Sequence, residues 1–342
     1  MSEQPKIVPT GAGQGAGSAG AARSGIAGAT GWGSGPAGYH GLPIVKRPAW
    51  TWEVPWYLFT GGLAGAGSAL ALVARLTGNH RLARGALLTA GSAAAVSPAL
   101  LISDLGVPSR FLNMLRVFKP TSPMSVGSWL LAAYAPLAVG AAGAEALRIA
   151  PRLGRAAEVG AGLLGPAVAT YTGVLVADTA IPVWHEARRE LPFLFGGSGA
   201  ASAGAAAVLM TPHEEAGPAR RLALLGAAME TVAGQAMEAR LGGLGAPYHE
   251  GVSGTLALIA RSLTALGAGL MALRGRRSRL ASVIAALLLL AGAACERWAV
   301  YKAGFASAED PSATIDAQRR RMAETGSSGA TTRPSSGSTP DG

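Results

Sequence analysis

Cysteine and charge are the scarcest features of this sequence. Cys295 is the only cysteine in 342 residues, which excludes an internal disulfide and any iron–sulfur or zinc site made only from cysteines of this chain. Charged residues account for 14% of the chain and hydrophobic residues for 49%, and the mean hydropathy is +0.32. This composition is typical of a membrane protein and not of a soluble domain. An iron–sulfur cluster that works with this chain must belong to a partner.

Histidine is rare as well, and its positions do not favour a haem. The five histidines fall in predicted tails, loops or helix ends: His40, His80, His185, His213 and His249. A bis-histidine haem needs imidazoles that face each other inside the bilayer, so we expect no haem in this chain. The sequence also lacks a P-loop, an HExxH motif and a nucleophile elbow, and therefore does not indicate a self-contained ATPase or hydrolase.

The charge balance is basic, with 29 Lys and Arg against 19 Asp and Glu and a formal net charge of +10. Most basic residues stand in short clusters between apolar segments. Clusters in such places are typical of contacts with anionic lipid and of membrane topology signals. No basic–aromatic motif of a nucleic-acid-binding domain is present, so we expect a lipid membrane as a partner and no nucleic acid.

Eight apolar stretches predict an all-α fold, a polytopic membrane bundle of about eight transmembrane helices. Each is close to the roughly 20 residues that cross a bilayer, and many are rich in Ala and Gly, which lets helices approach closely. The stretches are 54–75, 85–103, 126–149, 157–182, 193–211, 219–240, 253–273 and 280–297. We assign residues 46–306 to a tight bundle. The Gly-, Ala- and Ser-rich arm 1–45 and the tail 307–342 are predicted to be disordered, and no signal peptide pattern is found.

Basic residues in short loops predict the orientation of the bundle. The first, third, fifth and seventh loops hold twelve Arg, whereas the second, fourth and sixth hold six Lys and Arg. Because basic loops stay on the cytoplasmic side, both termini and the polar stretch 101–129 are predicted to lie on the outer face. We expect this stretch to cap the bundle there, and we expect a multi-pass protein of the cell (inner or plasma) membrane.

Acidic and aromatic residues mark the outer end of the first helix. Glu53 lies among Trp50, Trp52, Trp56 and Tyr57. An aromatic belt at the level of the lipid headgroups explains the aromatic residues. Glu53 is harder to explain in this way, because a carboxylate at the mouth of a Gly-rich helix is a suitable contact for a polar headgroup or a proton.

The fourth helix carries a second set of candidates. Tyr171 and Asp178 are seven residues apart and therefore lie on nearly the same helical face. Ionisable groups in membrane helices are costly and usually functional. Asp178 could instead cap the helix end or pair with Arg188 or Arg189. His185 could exchange protons near neutral pH, although an interfacial surface histidine is the simpler interpretation.

Two charges are predicted at similar depth in later helices. Glu230 falls near the middle of the sixth stretch and Arg261 lies in the seventh. We expect them to form a buried pair, since pairing is the usual remedy for charge inside lipid. The pair would be either structural or part of a proton route.

Three separated segments resemble the NrfD/polysulphide reductase membrane-subunit family. They are SDLGVPSRFLNMLRVFKPTSPMSVGSW, YTGVLVADTAIPVWHEARRELPFLFGGSGAASAGAA and ERWAVYKAGFASAEDP. The likeness covers about residues 50–312. It implies an eight-helix, haem-free protein that exchanges electrons between the membrane quinone pool, menaquinone being the expected quinone, and a four-cluster ferredoxin-like iron–sulfur subunit. That subunit would in turn serve a molybdopterin-containing or other catalytic subunit.

The resemblance also implies where the site lies: the first, second and fourth helices and the loop after the second would surround the quinone. The quinone-binding candidates are Glu53, Tyr57, Asp104, Arg110, Tyr171 and Asp178. The proton-transfer candidates are Asp178, His185 and Glu230, and the partner-contact candidates are Arg110, Arg116 and Lys119. No metal site is expected. The alternative functions are a proton- or ion-translocating transporter, on account of Asp178, Glu230 and Arg261, and a pure membrane anchor.

Overall fold

The computed structural model describes residues 45–105 and 107–310 together with Ala313 and Ile315, without the side chains of residues 108–110. The elements are α1 Glu53–Leu76, α2 His80–Asp104, the 3-10 helix η1 Pro108–Leu115, α3 Pro123–Leu147, α4 Pro151–Ala177, α5 Pro182–Glu186, α6 Leu191–Met210, α7 Gly217–Leu241, the 3-10 helix η2 Gly242–Tyr248, α8 Gly251–Arg274 and α9 Arg279–Glu309. These ranges contain no strand, and the all-α prediction is confirmed. The predicted disordered arm and most of the predicted tail lie outside the described residues.

Seven of the helices are long and apolar enough to cross a membrane: α1, α2, α3, α4, α6, α8 and α9. Helix α7 has 25 residues, a length within the range of the other long helices, but its charged residues make it less apolar. Two of these charges, Arg220 and Glu230, are buried against neighbouring helices. The predicted polytopic bundle is therefore confirmed, and its least apolar helix buries two charged side chains among small and apolar ones.

The last helix is longer than predicted. The apolar pattern indicated an end near residue 297, whereas α9 continues to Glu309. No proline interrupts the sequence between Arg279 and Pro311, and Val300, Ala303 and Gly304 keep a buried face on the helix beyond residue 297. The charges at 296 and 297 consequently lie inside the bundle and not at its edge.

The helices cross at small residues, as the Ala- and Gly-rich segments predicted. At the crossing of α1 and α4, a Cβ placed on Gly65 would lie 2.4 Å from the carbonyl oxygen of Gly165. At the crossing of α6 and α7, a Cβ on Gly226 would lie 2.2 Å from the backbone nitrogen of Ala201. A larger residue at either position would push the backbones apart, so these glycines allow the close approach of membrane helices.

The bundle has two ends. We call the end with the start of α1, the end of α2, η1, α5 and η2 the outer face, and the opposite end the inner face, following the predicted orientation. At the inner face Arg75 binds two carboxylates, with 3.1 Å between its Nε and Glu158 Oε1 and 3.2 Å between its Nη2 and Glu145 Oε2. This cluster ties α1 to α3 and α4. The orientation of the two faces in the membrane stays a prediction.

Candidate functional site

Two carboxylates meet at the outer face through one threonine. The backbone N–H of Thr51 donates to Asp104 Oδ1 at 3.0 Å, and its hydroxyl donates to the same oxygen at 2.7 Å. The hydroxyl also contacts Glu53 Oε2. Thr51 precedes the first turn of α1 and Asp104 ends α2, so the helix ends themselves bring Glu53 and Asp104 together. The Thr51 hydroxyl has one proton and can donate it to only one of the two carboxylates at a time. The other carboxylate can then accept a hydrogen bond from a ligand or from water.

Two tyrosines lie deeper in the bundle on the same side. Tyr57 follows Glu53 by one turn of α1, about 6 Å further from the surface, and is buried. Tyr171 on α4 is close enough to Tyr57 for an electrostatic interaction between them. Its ring packs on Gly127 of α3, where a Cβ would lie 1.6 Å from the ring Cζ. Glycine at this position is therefore what leaves room for the Tyr171 ring.

Small polar side chains continue this region between α1, α2 and α4. The hydroxyls of Thr60 and Ser97 are 2.7 Å apart and joined by a hydrogen bond. The hydroxyl of Thr172, one residue after Tyr171, is buried and has no hydrogen-bond partner in the described part of the chain. A buried hydroxyl without a partner is unfavourable, so this position is suited to a ligand that accepts a hydrogen bond.

The aromatic residues near Glu53 divide into two groups. Trp52 and Trp56 are exposed, as the predicted aromatic belt requires. Trp50 instead stacks on the buried Trp184 with 5.3 Å between ring centroids, and its carbonyl accepts a hydrogen bond from the Tyr301 hydroxyl at 2.8 Å. Trp50 therefore anchors the segment that precedes α1 against helices α5 and α9, and it does not belong to the aromatic belt.

Asp178 and His185 lie at the end of α4 and in the segment that follows. Asp178 is the exposed C-cap of α4, two turns beyond the half-buried Tyr171. This position agrees with the alternative interpretation of Asp178 as a helix cap, whereas Arg188 Nη1 lies 3.7 Å from Glu186 Oε2 and not beside Asp178. His185 is half-buried in α5. Both residues thus have access to water at the outer face.

The basic residues of the loop after α2 are exposed. Arg116 and Lys119 both point into the surroundings, and neither side chain forms an ion pair within the described residues. The loop is nevertheless ordered, since the backbone N–H of Lys119 donates to Ser125 Oγ at 3.0 Å and Phe118 packs edge-to-face on Trp129. The side chain of Arg110 lies outside the described residues, and its predicted roles stay predictions.

The predicted buried pair of Glu230 and Arg261 is wrong. Arg261 Nη1 lies 3.1 Å from Glu238 Oε2, and the Arg261 Nη2 donates to the carbonyl of Tyr248 at 3.3 Å. Similar depth in two helices does not make two side chains face each other, and Arg261 lies on the exposed side of α8. Glu230 is buried and accepts a hydrogen bond from Thr264 at 3.5 Å.

Arg297 is a deeply buried cation that the sequence pattern did not predict. Its guanidinium binds Glu296, donates to the carbonyls of Phe195 at 2.9 Å and Leu58 at 3.4 Å, and lies 3.8 Å from the centroid of the Phe195 ring. Only 1% of Arg297 is exposed. The uninterrupted helical pattern up to Pro311 was the signal that places Glu296 and Arg297 in the bundle. Arg297 holds α1, α6 and α9 together through polar contacts.

The chain matches a protein-family model described as "Polysulphide reductase, NrfD" over residues 44–237. No curated protein matches the chain. The matched range runs from the segment before α1 into α7 and contains every candidate quinone, proton-transfer and partner-contact residue from Glu53 to Glu230. Helices α8 and α9 lie beyond it.

Proposed function

Because this chain belongs to the polysulphide reductase NrfD family, we propose that it exchanges electrons between menaquinone and a ferredoxin-like iron–sulfur partner. The family and the seven candidate membrane spans make it a multi-pass membrane subunit of a redox complex. Quinone exchange at the cell membrane, with a molybdopterin-containing subunit behind the iron–sulfur partner, is our finer proposal. The main observation in support of this proposal is that Thr51 holds Glu53 and Asp104 together at the outer face. Tyr57 and Tyr171 lie deeper in the bundle on the same side.

The residues at this place fit a quinone head group. A quinone offers two carbonyl acceptors, and the buried Thr172 hydroxyl is a donor without a partner in the described part of the chain. Tyr57 and Tyr171 supply two further phenol donors. A bound quinone supplies redox chemistry in which electrons move together with protons. We propose that Tyr57, Tyr171 and Thr172 hold and orient the head group.

Proton movement is assigned to the carboxylates at the outer face. Glu53 and Asp104 are half-buried, and Thr51 links them by hydrogen bonds, so a proton held by either carboxylate has an ordered path to the other. Titratable groups within hydrogen-bond reach are what such proton exchange needs. Asp178 and His185, nearer to water, are proposed to extend the route outward. Glu230, the other predicted proton-transfer residue, lies on α7 away from these carboxylates, so proton transfer through it would require a separate path through the bundle.

A proton- or ion-translocating function is the second candidate. The observation that favours it is the buried carboxylate Glu230 near Glu296 and Arg297, because intramembrane ionisable groups commonly mark ion paths. Proton flux in liposomes that contain this chain without any redox partner would support it. Flux that appears only when quinol and the partner complex are present would instead favour the redox subunit.

Removal of the Tyr171 hydroxyl tests the quinone site. We expect Tyr171→Phe to weaken binding of a soluble menaquinone analogue about fivefold to tenfold, since one hydrogen bond contributes roughly 1 kcal/mol. The dissociation constant is measured by titrating the analogue into the protein and following the quenching of tryptophan fluorescence, because Trp50 and Trp184 lie near the outer face. Tyr134→Phe is the matched control, as the Tyr134 hydroxyl binds Ser68 at 2.8 Å elsewhere in the bundle. Equal affinities for both variants and the unmodified protein would remove Tyr171 from the site.

Charge reversal tests the partner surface. We expect Arg116→Glu with Lys119→Glu to release the iron–sulfur partner during purification of the complex, because both exposed cations would meet an acidic partner surface. Binding of the menaquinone analogue should be unchanged. Lys46→Glu with Arg189→Glu makes the same change of charge at exposed residues of the same face and should retain the partner. Retention by both double variants would place the partner elsewhere.

A further inference from the structure

A cavity lies between α7, α8, α9 and η2, and among the predicted site residues only Glu230 lines it. Its volume is about 290 Å³, far more than the ~30 Å³ that one water molecule occupies. Its walls are largely apolar and include Leu194, Met237, Ala257, Ala260, Ala299 and Val300. An apolar cavity with a few convergent polar groups is the usual form of a small-molecule site.

Three polar atoms in this cavity lack partners. They are Glu230 Oε2, Glu296 Oε1 and the Tyr248 hydroxyl, none of which has a hydrogen bond of normal geometry in the described part of the chain. The Ser198 hydroxyl lies near both carboxylates, but its single proton can serve only one of them at a time. The three residues come from three different elements, and they are 6%, 7% and 2% exposed, respectively. A buried polar group left without a partner costs about 1–3 kcal/mol. Three such groups around one cavity therefore point to a ligand that completes their hydrogen bonds.

The charges around the cavity define what this ligand must offer. Arg297 is bound to Glu296, and Arg261 at the edge of the cavity is paired with Glu238. One buried cation thus faces two carboxylates, Glu230 and Glu296, whose open oxygens accept hydrogen bonds. Burial, with the charges of Glu296 and Glu238 added, raises the pKa of Tyr248. The phenol therefore keeps its proton and can donate or accept.

The cavity is placed for entry from the lipid. Helix α8 packs closely along α9 but touches α7 only sparsely, which leaves a cleft between α7 and α8. The lipid-facing surfaces of both helices carry exposed apolar residues, among them Val232 on α7 and Leu258 on α8. A ligand with an apolar body can approach sideways along such a surface without crossing water.

We infer that this cavity binds the head group of a lipid-soluble hydroquinone, at a site separate from the one at the outer face. The inference rests on the proposed function. An aromatic diol matches the cavity because its ring suits the apolar walls and its hydroxyls donate to the open oxygens of Glu230 and Glu296. Tyr248 supplies a third contact that can either donate or accept.

The test is photolabelling of the full-length protein in lipid nanodiscs with an azido-substituted menaquinol analogue, followed by peptide mapping. We expect labelled peptides from η2 and α8 in addition to those from α1 and α4. Gly234→Leu should fill the cavity, because a Cβ on Gly234 meets only Leu194 Cδ1 at an ordinary 3.6 Å. It should reduce labelling of η2 and α8 at least tenfold and leave labelling of α1 and α4 intact. Gly269→Leu is the matched control, since nothing lies within 4 Å of a Cβ there.

The outcomes separate this inference from the proposed function. Labelling of α1 and α4 alone, or labelling of η2 and α8 that Gly234→Leu does not change, overturns the second site and keeps the first. Labelling of η2 and α8 alone supports the inference and removes the outer-face site, whereas labelling of neither overturns both. Tyr248→Phe removes a single hydroxyl and provides a second variant if Gly234→Leu does not fold. It should weaken labelling of η2 and α8 severalfold.

Discussion

Replacing Arg297 by methionine is expected to destabilise the folded bundle by about 3–5 kcal/mol, the usual effect of removing one partner of a buried ion pair. The guanidinium neutralises Glu296 and is a donor to the carbonyls of Leu58 and Phe195. Without it, Glu296 would be a buried charge with no cation beside it, and two backbone oxygens would lose a donor. Chemical unfolding in detergent micelles, followed by tryptophan fluorescence, measures the change in the free energy of unfolding.

Two further variants make this prediction specific to the buried cation. Lys302→Met is the matched control on the same helix, where the ammonium lies exposed 5.9 Å from the Trp298 ring centroid, and it should change stability little. Arg297→Met combined with Glu296→Met should recover much of the loss, because apolar replacement of both partners is often neutral. If Arg297→Met is as stable as Lys302→Met, the buried contacts of Arg297 do not hold the bundle together.

Much of the fold follows from hydropathy and small residues. The apolar stretches predicted the long helices, since a membrane span needs a continuous apolar run, and the Ala- and Gly-rich segments predicted close crossings such as that of Gly65 with Gly165. The end of α9 was harder to predict. The hydropathy falls at Glu296 and Arg297, which indicated a helix end there. In the structure these two side chains form an ion pair inside the protein. The helix therefore continues past them without exposing a charge to lipid.

The candidate site could be predicted in part, because the helix boundaries that hydropathy predicts also place the residues next to them. Glu53 and Asp104 are next to helix ends, and ends on the same face of a bundle lie at the same height, so the sequence placed both at the outer face. Thr51, which joins them, belongs to no periodic pattern. The pairing of Glu230 with Arg261 failed because depth along two helices leaves their rotation open, and the long Arg261 side chain reached Glu238 instead.

Under the proposed function, removing both outer carboxylates is expected to have the largest effect on turnover. Glu53→Gln with Asp104→Asn should lower menaquinol-dependent electron transfer about 100-fold or more, because positioned proton-transfer groups contribute 10²–10⁴-fold. Each single variant should lose less, since Thr51 contacts both carboxylates and the remaining one can still exchange a proton. The measurement is the rate of electron transfer from a menaquinol analogue to an artificial acceptor in the purified complex.

The controls for this prediction separate proton transfer from binding and from general surface charge. Glu250→Gln with Glu309→Gln neutralises two exposed carboxylates of the same face and should leave the rate unchanged. Thr51→Val keeps both carboxylates but removes the hydroxyl between them, so its rate should lie between those of the double variant and the unmodified complex. A double variant of Glu53 and Asp104 that keeps full turnover, with the analogue still bound, would show that the protons leave by another route. Asp178 and His185 would then be the groups to replace next.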